Sequence, residues 1–368
     1  MKVAQVTLDV YDNYGNMLQK YALHRILKRF SDFTEVLWLK DSNFFHNEGN
    51  WLCHYPKNSE YCFEDYQKNY SFEIVRTFKF KEFENRYIKT RFDVPYIEDI
   101  GDEYDFFVVG SDQVWNPKFL FDEKEFPGRF LEEIPREKKI SYAASIAVTS
   151  IPPQFTELMQ RGISGFNHIS VREESSIKLI RELTGQDALN LLDPSMLLTT
   201  EEWLEIAQKP SWLNEKYERG YILTYYFPNN RPAVIKDVAK SLNLPIINLL
   251  DVDNYWHYIT GPEEFVWLFA NANLIFTHSF HGTAFAILFR RPFMEIEIPG
   301  QTHVLTRIPE VLKKFGLENR MTTLEKNYTI DSILEIDYST RDKILPQERE
   351  KAFNFLSNAL RIKMKEAQ

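Results

Sequence analysis

The residues best suited to chemistry lie in one short run, Ser279-Phe280-His281-Gly282-Thr283. It follows Leu274-Ile275-Phe276, an apolar stretch suited to a buried strand, and it precedes residues 284–289, an apolar helical segment. A strand that breaks at such residues and reopens as a helix aims the first amide N–H groups of that helix at one spot, where an anion is stabilised. His281 adds a titratable donor there, and Gly282 leaves room for another group to come close. The same letters also fit an ordinary strand–helix turn, capped by Ser279 with His281 satisfied inside. Spacing alone does not separate the two.

Polar residues stand at the ends of other apolar runs as well. Asn13 and Gly15 follow residues 3–8; Ser111, Asp112 and Gln113 follow residues 104–110. Arg172-Glu173 follows Ile169-Ser170-Val171, and Asp193-Pro194 follows residues 188–192. Each has a mundane reading. Asn13 and Gly15 fit a turn with a helix cap, and Asp112 fits a local cap with Trp115 buried against it. Arg172 could pair on the surface with Glu174 or Glu202, a contact of little energetic weight. Asp193-Pro194 reads most simply as a hinge turn. Any one of these favours a structural role; their coincidence at several strand ends points to a ligand, because open α/β sheets bind beyond the carboxyl ends of their strands.

The elements that must position these groups alternate between strand and helix. Residues 3–8 read as a strand, 11–16 as a polar turn and 17–30 as a helix with one apolar face. Residues 36–39, 104–110, 139–145, 169–172 and 188–192 read as further strands. Residues 43–100, crowded with Phe, Tyr and charges, read as helical without a clear register. The pattern restarts after Asp193-Pro194, with strands at 221–226 and 245–249 and helices at 233–242, 262–272 and 311–315. An amphipathic helix over 347–364 closes the chain. The expectation is an α/β protein of two Rossmann-like domains facing a cleft, GT-B-like, with a hinge near residues 193–199. Residues 1–192 form the first domain, 193–340 the second, and 341–368 a closing helix that packs back on the first.

Bulk properties narrow the field. A chain of 368 residues accommodates two domains with separate cores. A net charge of −9 argues against nucleic acid as a partner. Cys53 and Cys62 are the two cysteines, too few for a disulfide framework or a thiolate metal site. The first residues lack the apolar core of a signal peptide and no apolar run reaches membrane-spanning length, so a cytoplasmic protein is expected. No dinucleotide, P-loop or His/Cys metal pattern occurs. Asp251-Val252-Asp253 mimics a metal-binding acidic pair but is followed by Asn254 and aromatic residues, as in a solvated loop. Aromatic residues make up 15% of the chain. Those in residues 44–92 suit an acceptor site or a membrane surface, and suit a Phe-rich helical core better.

Several stretches together resemble the polysaccharide pyruvyl transferase family. They are Asn13-Tyr14-Gly15 with Leu18-Gln19 and Ala22-Leu23, then Val109-Gly110-Ser111-Asp112-Gln113-Val114-Trp115-Asn116-Pro117, then Ile140-Ser141-Tyr142-Ala143-Ala144-Ser145. Ser170-Val171-Arg172-Glu173, Asp193-Pro194, Ser279-Phe280-His281-Gly282-Thr283 and Arg307 with Gly316-Leu317 and Arg320 complete the series in consistent order. Two positions depart from the pattern. His278 stands where an acidic residue is expected, which alters the local protonation chemistry, and Ala147 stands where glycine usually follows.

The resemblance implies a GT-B-like fold and a pyruvyltransferase that uses phosphoenolpyruvate as donor. Its product is a cyclic ketal across two hydroxyls of a sugar, in a bacterial capsular polysaccharide, an exopolysaccharide or a lipid-linked precursor. His281 would then hold the phosphate and assist its departure, and Arg172 would grip donor oxygens. Asp112 or Asp193 would act as base on a sugar hydroxyl. Asn13, Gly15, Ser111, Gln113, Ser279, Gly282, Thr283 and Arg307 would bind substrate, with Arg307 a weaker cation. No metal or cofactor is expected, and a lipid-linked acceptor would bring the protein against the inner membrane surface. A nucleotide-sugar glycosyltransferase and a non-catalytic glycan-binding protein remain the alternatives.

Overall fold

The computed structural model describes residues 1–8, 13–39, 63–94, 97–117, 126–225, 232–297, 307–322 and 329–362. The expectations for residues 11–12 and for residues 43–62 lie outside the described residues. The chain divides into two compact units. The first comprises Met1–Ile74, Glu84–Pro194 and Phe353–Gln368; the second comprises Val75–Phe83 and Ser195–Ala352.

Among the described residues of the first unit, seven strands form a wholly parallel sheet. They are β1 (Lys2–Val6), β2 (Phe33–Leu39), β3 (Thr90–Val94), β4 (Phe106–Val109), β5 (Lys139–Ala144), β6 (His168–Val171) and β7 (Leu189–Asn190). Their spatial order is β3-β2-β1-β4-β5-β6-β7. Phe-Phe-Val-Val in β4 is buried at all four positions, as a strand covered on both faces requires. Beside the sheet, Trp115 stacks on Phe130 at 5.9 Å and meets Phe166 edge-on at 5.3 Å. The order reverses between β1 and β4, so the crevice for a ligand opens at the carboxyl ends of those two strands.

The second unit holds a five-stranded parallel sheet in the order β12-β11-β10-β8-β9. Its strands are β8 (Ile222–Tyr225), β9 (Ile246–Asn248), β10 (Leu274–Thr277), β11 (Phe293–Ile296) and β12 (Met321–Thr322). The direction of winding switches between β8 and β10, the second place where such a sheet makes a ligand crevice. An aromatic core backs it: Phe265 lies 4.4 Å from Phe269 and 5.6 Å from Phe285, which meets Trp203 at 5.0 Å.

Three elements differ from expectation. Residues 90–94 form an edge strand where helix was expected, following a helix over Phe63–Tyr87. The alternation in Thr-Arg-Phe-Asp-Val is masked by the charged and aromatic residues on either side. The last helix runs over Ser339–Ala359 with Pro346 inside it, rather than starting after that proline. Near its end Phe355 packs on Tyr142 and His168, at 6.4 and 6.3 Å. The helix predicted over 311–315 begins earlier, at Arg307.

Candidate functional site

The first unit gathers a charged cluster at its switch point. Gly110 ends the β4 segment with φ of +124°, and a side chain there would run into the carbonyl oxygen of Tyr142. Only glycine fits, and the chain turns sharply into Ser111-Asp112. Ser111 is fully buried: its N–H donates to Gln19 Oε1 at 3.0 Å and its hydroxyl to the Ala143 carbonyl at 2.7 Å. These bonds fix the loop. Gln113 accepts from Asn116 Nδ2 at 2.6 Å. Asp112, with φ of 67°, carries its carboxylate to Arg172.

Arg172 is the hub. Its Nη1 donates to Asp193 at 2.8 Å, its Nε to Glu173 at 3.3 Å and its Nη2 to Asp112 at 3.4 Å. The expected surface pairing with Glu174 or Glu202 is therefore corrected, because the side chain is only 2% exposed. A buried guanidinium takes the buried carboxylates at hand, since each charge would be costly alone. Burial opposes its charge, but Glu173, Asp193 and Asp112 outweigh that and hold it more firmly protonated than an ordinary arginine. The two carboxylates expected as bases differ sharply. The Asp193 side chain is fully buried against Arg172, whereas that of Asp112 is 9% exposed on longer contacts.

Asn13 caps the helix Tyr14–Leu27, its side chain accepting from the Asn16 N–H at 3.1 Å, and Gly15 is buried in the first turn. The mundane reading of both residues thus holds locally. The same turn delivers Asn16, which the sequence reading passed over. Asn16 donates to Asp112 Oδ2 at 3.3 Å, and its buried Oδ1 has no hydrogen-bond partner among the described residues. Its place next to the cap was the available signal.

In the second unit β10 ends at Thr277 and a helix opens at Phe280–Leu288, hereafter the corner helix. Ser279 caps it, accepting from the Gly282 N–H at 3.4 Å, and donates its own N–H to Thr277 Oγ1 at 3.2 Å. His281 lies in the first turn, 7% exposed, with its ring 5.3 Å from that of Phe280. Strand, cap and helix start follow the order expected, at the switch point of the sheet. Arg307 is the first residue of the helix Arg307–Phe315 and is buried.

Two residues of this corner have packing roles. A Cβ at Gly282 would overlap Thr277 Oγ1 and lie 3.2 Å from the Tyr225 ring, so the glycine seats the helix on the sheet. Gly282→Ala should cost about 1–3 kcal/mol of stability by overpacking, measurable by urea denaturation. A variant as stable as the wild type would show that the helix can lift without strain. Thr283 is fully buried and donates its hydroxyl inward, to Glu295 Oε2 at 2.9 Å.

Glu295, on β11, is the other residue missed from sequence. Burial pushes its carboxyl up to about 7, and His278 and Thr283 offset only part of that. The folded state therefore binds this proton more tightly than the unfolded chain does. The contribution to stability is complete below the ordinary carboxylate range near 4.5 and is lost as pH rises through about 7. At roughly 1.4 kcal/mol per pH unit the loss reaches about 3 kcal/mol. Denaturation at about pH 5 and pH 8 should show Glu295→Gln losing less stability over that interval than the wild type. Equal losses would contradict the assignment.

Arg172, Asp112 and Asp193 thus meet in one cluster, and Ser279, His281, Gly282 and Thr283 in another, within different units. Among the described residues no group of three or more His, Cys, Asp or Glu is placed to hold a metal ion. No helix among them is long and apolar enough to cross a membrane.

Comparison with known proteins agrees with this architecture. A chain with two parallel α/β sheets is what GT-B-type enzymes share, and solved structures of that type align along almost the whole length. The Staphylococcus aureus MnaA–UDP complex aligns with a TM-score of 0.54 at 11% identity, covering 100% of this chain and 99% of that one. UDP-GlcNAc 2-epimerase from Neisseria meningitidis, bound to UDP-GlcNAc, gives 0.50 at 12% identity, covering 98% of each chain. The Methanocaldococcus jannaschii UDP-GlcNAc 2-epimerase gives 0.50 at 12%, covering 97% of this chain and 100% of that one. At these identities the likeness concerns the fold alone. No curated protein matches the sequence.

Residues 13–296 match the polysaccharide pyruvyl transferase family, and the chain belongs to it. The match spans both clusters and closes at the end of β11. Membership makes this a transferase of polysaccharide biosynthesis with a sugar or polysaccharide acceptor.

Proposed function

We propose that this enzyme moves the pyruvyl group of phosphoenolpyruvate onto two hydroxyls of one sugar, in a bacterial capsular polysaccharide, an exopolysaccharide or a lipid-linked precursor. The observation that carries this reading is that the family match encloses two polar clusters, each at the switch point of its own sheet. The donor's CH2 carbon takes a proton and becomes methyl. A sugar hydroxyl adds to the neighbouring carbon, the C–O bond to phosphate breaks, and the second hydroxyl closes the ketal. One hydroxyl proton balances the new methyl hydrogen and the other leaves with phosphate.

The corner suits the phosphate end: the helix start supplies a favourable field for an anion, and His281 protonates the departing oxygen. Of the two carboxylates, Asp112 is the base on the sugar hydroxyl, because Asp193 is fully buried against Arg172. Arg172, which meets Asp112 through Nη2 at 3.4 Å, would grip donor oxygens. Asn13 and Gln113 flank the acceptor. The chemistry asks for no metal or cofactor, and a lipid-linked acceptor would place the enzyme at the cytoplasmic face of the membrane.

Isothermal titration separates this reading from a nucleotide-sugar glycosyltransferase. Phosphoenolpyruvate should bind and lose affinity in His281→Ala, with UDP-, GDP- and CMP-sugars silent. Binding of a nucleotide sugar without phosphoenolpyruvate would overturn it.

A further inference from the structure

Beneath the first turn of the corner helix lies a buried polar set that the transfer chemistry leaves unused. Glu295 is 1% exposed and accepts from Thr283. His278 is 2% exposed; its Nδ1 lies 2.8 Å from the Ile296 carbonyl oxygen and 3.3 Å from Glu295 Oε1. Two oxygens so close require a proton on Nδ1, which therefore donates to both. Nε2, across the ring, is buried with no hydrogen-bond partner among the described residues. The pair thus has one donated proton, one bare nitrogen and one enclosed carboxylate.

Among the described residues His278 is the one ionisable side chain acting on Glu295, and Thr283 contributes a neutral hydroxyl. β12 adjoins Glu295 through its backbone at Met321, and β8 meets His278 through the carbonyl oxygen of Tyr225. With the corner empty, the N-terminal field of the helix favours an ionised Glu295.

We propose that Glu295, hydrogen-bonded to His278, takes up a proton when a phosphate dianion lands on the first turn of the corner helix. The inference rests on the reading that this corner receives the donor phosphate. An arriving dianion competes for the same helix field and repels the carboxylate behind it, and a like charge favours the protonated form. Burial has already brought the Glu295 carboxyl to about 7, so a small further push protonates it at neutral pH. Linkage makes the effect reciprocal: each proton gained on binding means tighter anion binding as pH falls. Glu295 and His278 are then positioning residues that set the pH range in which donor is held.

The test is titration calorimetry of the full chain with sulfate, a dianion that does not itself titrate near neutral pH, and with phosphoenolpyruvate. Buffers of different ionisation heat count the protons. Sulfate affinity should fall about tenfold between roughly pH 6.5 and 8.5 with net proton uptake, and Glu295→Gln should reduce that fall to less than about threefold. Infrared difference spectra of the wild type, with and without sulfate, should show a protonated carboxyl C=O stretch appearing on binding, whether or not the variant folds. Equal uptake in wild type and variant, no new carboxyl band, or no sulfate binding would each overturn the inference. If sulfate draws in the proton while phosphoenolpyruvate never binds, the inference stands and the proposed donor falls.

Discussion

His281→Ala is expected to fold as the wild type does and to form ketal about 10²–10⁴-fold more slowly, the range typical of a lost general acid. The fold should survive because His281 sits in the first turn of a helix, where alanine is well accommodated. The strand and cap that set the turn involve Thr277, Ser279 and Gly282. Phosphate release followed at saturating and limiting donor separates the contributions: a loss in kcat marks the departing phosphate, whereas a rise in KM alone marks ground-state grip. Turnover within about tenfold of the wild type would remove His281 from the mechanism.

Arg172→Met is expected to be among the most destabilising single changes in the first unit, by about 3–5 kcal/mol. Methionine fills the space of the stem but leaves Asp112, Glu173 and Asp193 without the cation that now bonds to all three. The cost comes from stranded buried charge, so removing one of those charges should recover part of it. Arg172→Met with Asp193→Asn should be more stable than Arg172→Met alone. Denaturant midpoints for the two variants and the wild type decide the matter. A single variant within about 1 kcal/mol of the wild type would mean the carboxylates find other partners or protons.

How far the site could be read from sequence depends on the range of the interactions involved. Local order was legible: Leu-Ile-Phe before Ser-Phe-His-Gly announces a strand, a cap and a helix start, and the structure places all three there. The grouping of polar residues at strand ends was legible for the same reason. Strand order was not, because it is decided by pairings such as Val3 with Phe106 that no local pattern encodes. Only that order puts Asp112 and the corner helix at their switch points.

Burial was not legible from local pattern either. Phe293-Met294-Glu295-Ile296 lies in a parallel sheet covered on both faces, so even Glu295 is enclosed. Arg172 was assigned the surface partners Glu174 and Glu202, whereas it is buried among Glu173, Asp193 and Asp112. Lys20 and Glu84 repeat the lesson, forming a fully buried pair across 64 residues. Gly282 was read as leaving room for another group, and the structure packs Thr277 and Tyr225 against that position.

The most direct test of the central claim is mass spectrometry of lipid-linked and free bacterial glycans incubated with the enzyme and phosphoenolpyruvate. A pyruvyl ketal should appear on one sugar, with one phosphate released for each ketal formed. Consumption of a nucleotide sugar in its place, or phosphate released with no change in any glycan, would contradict the account.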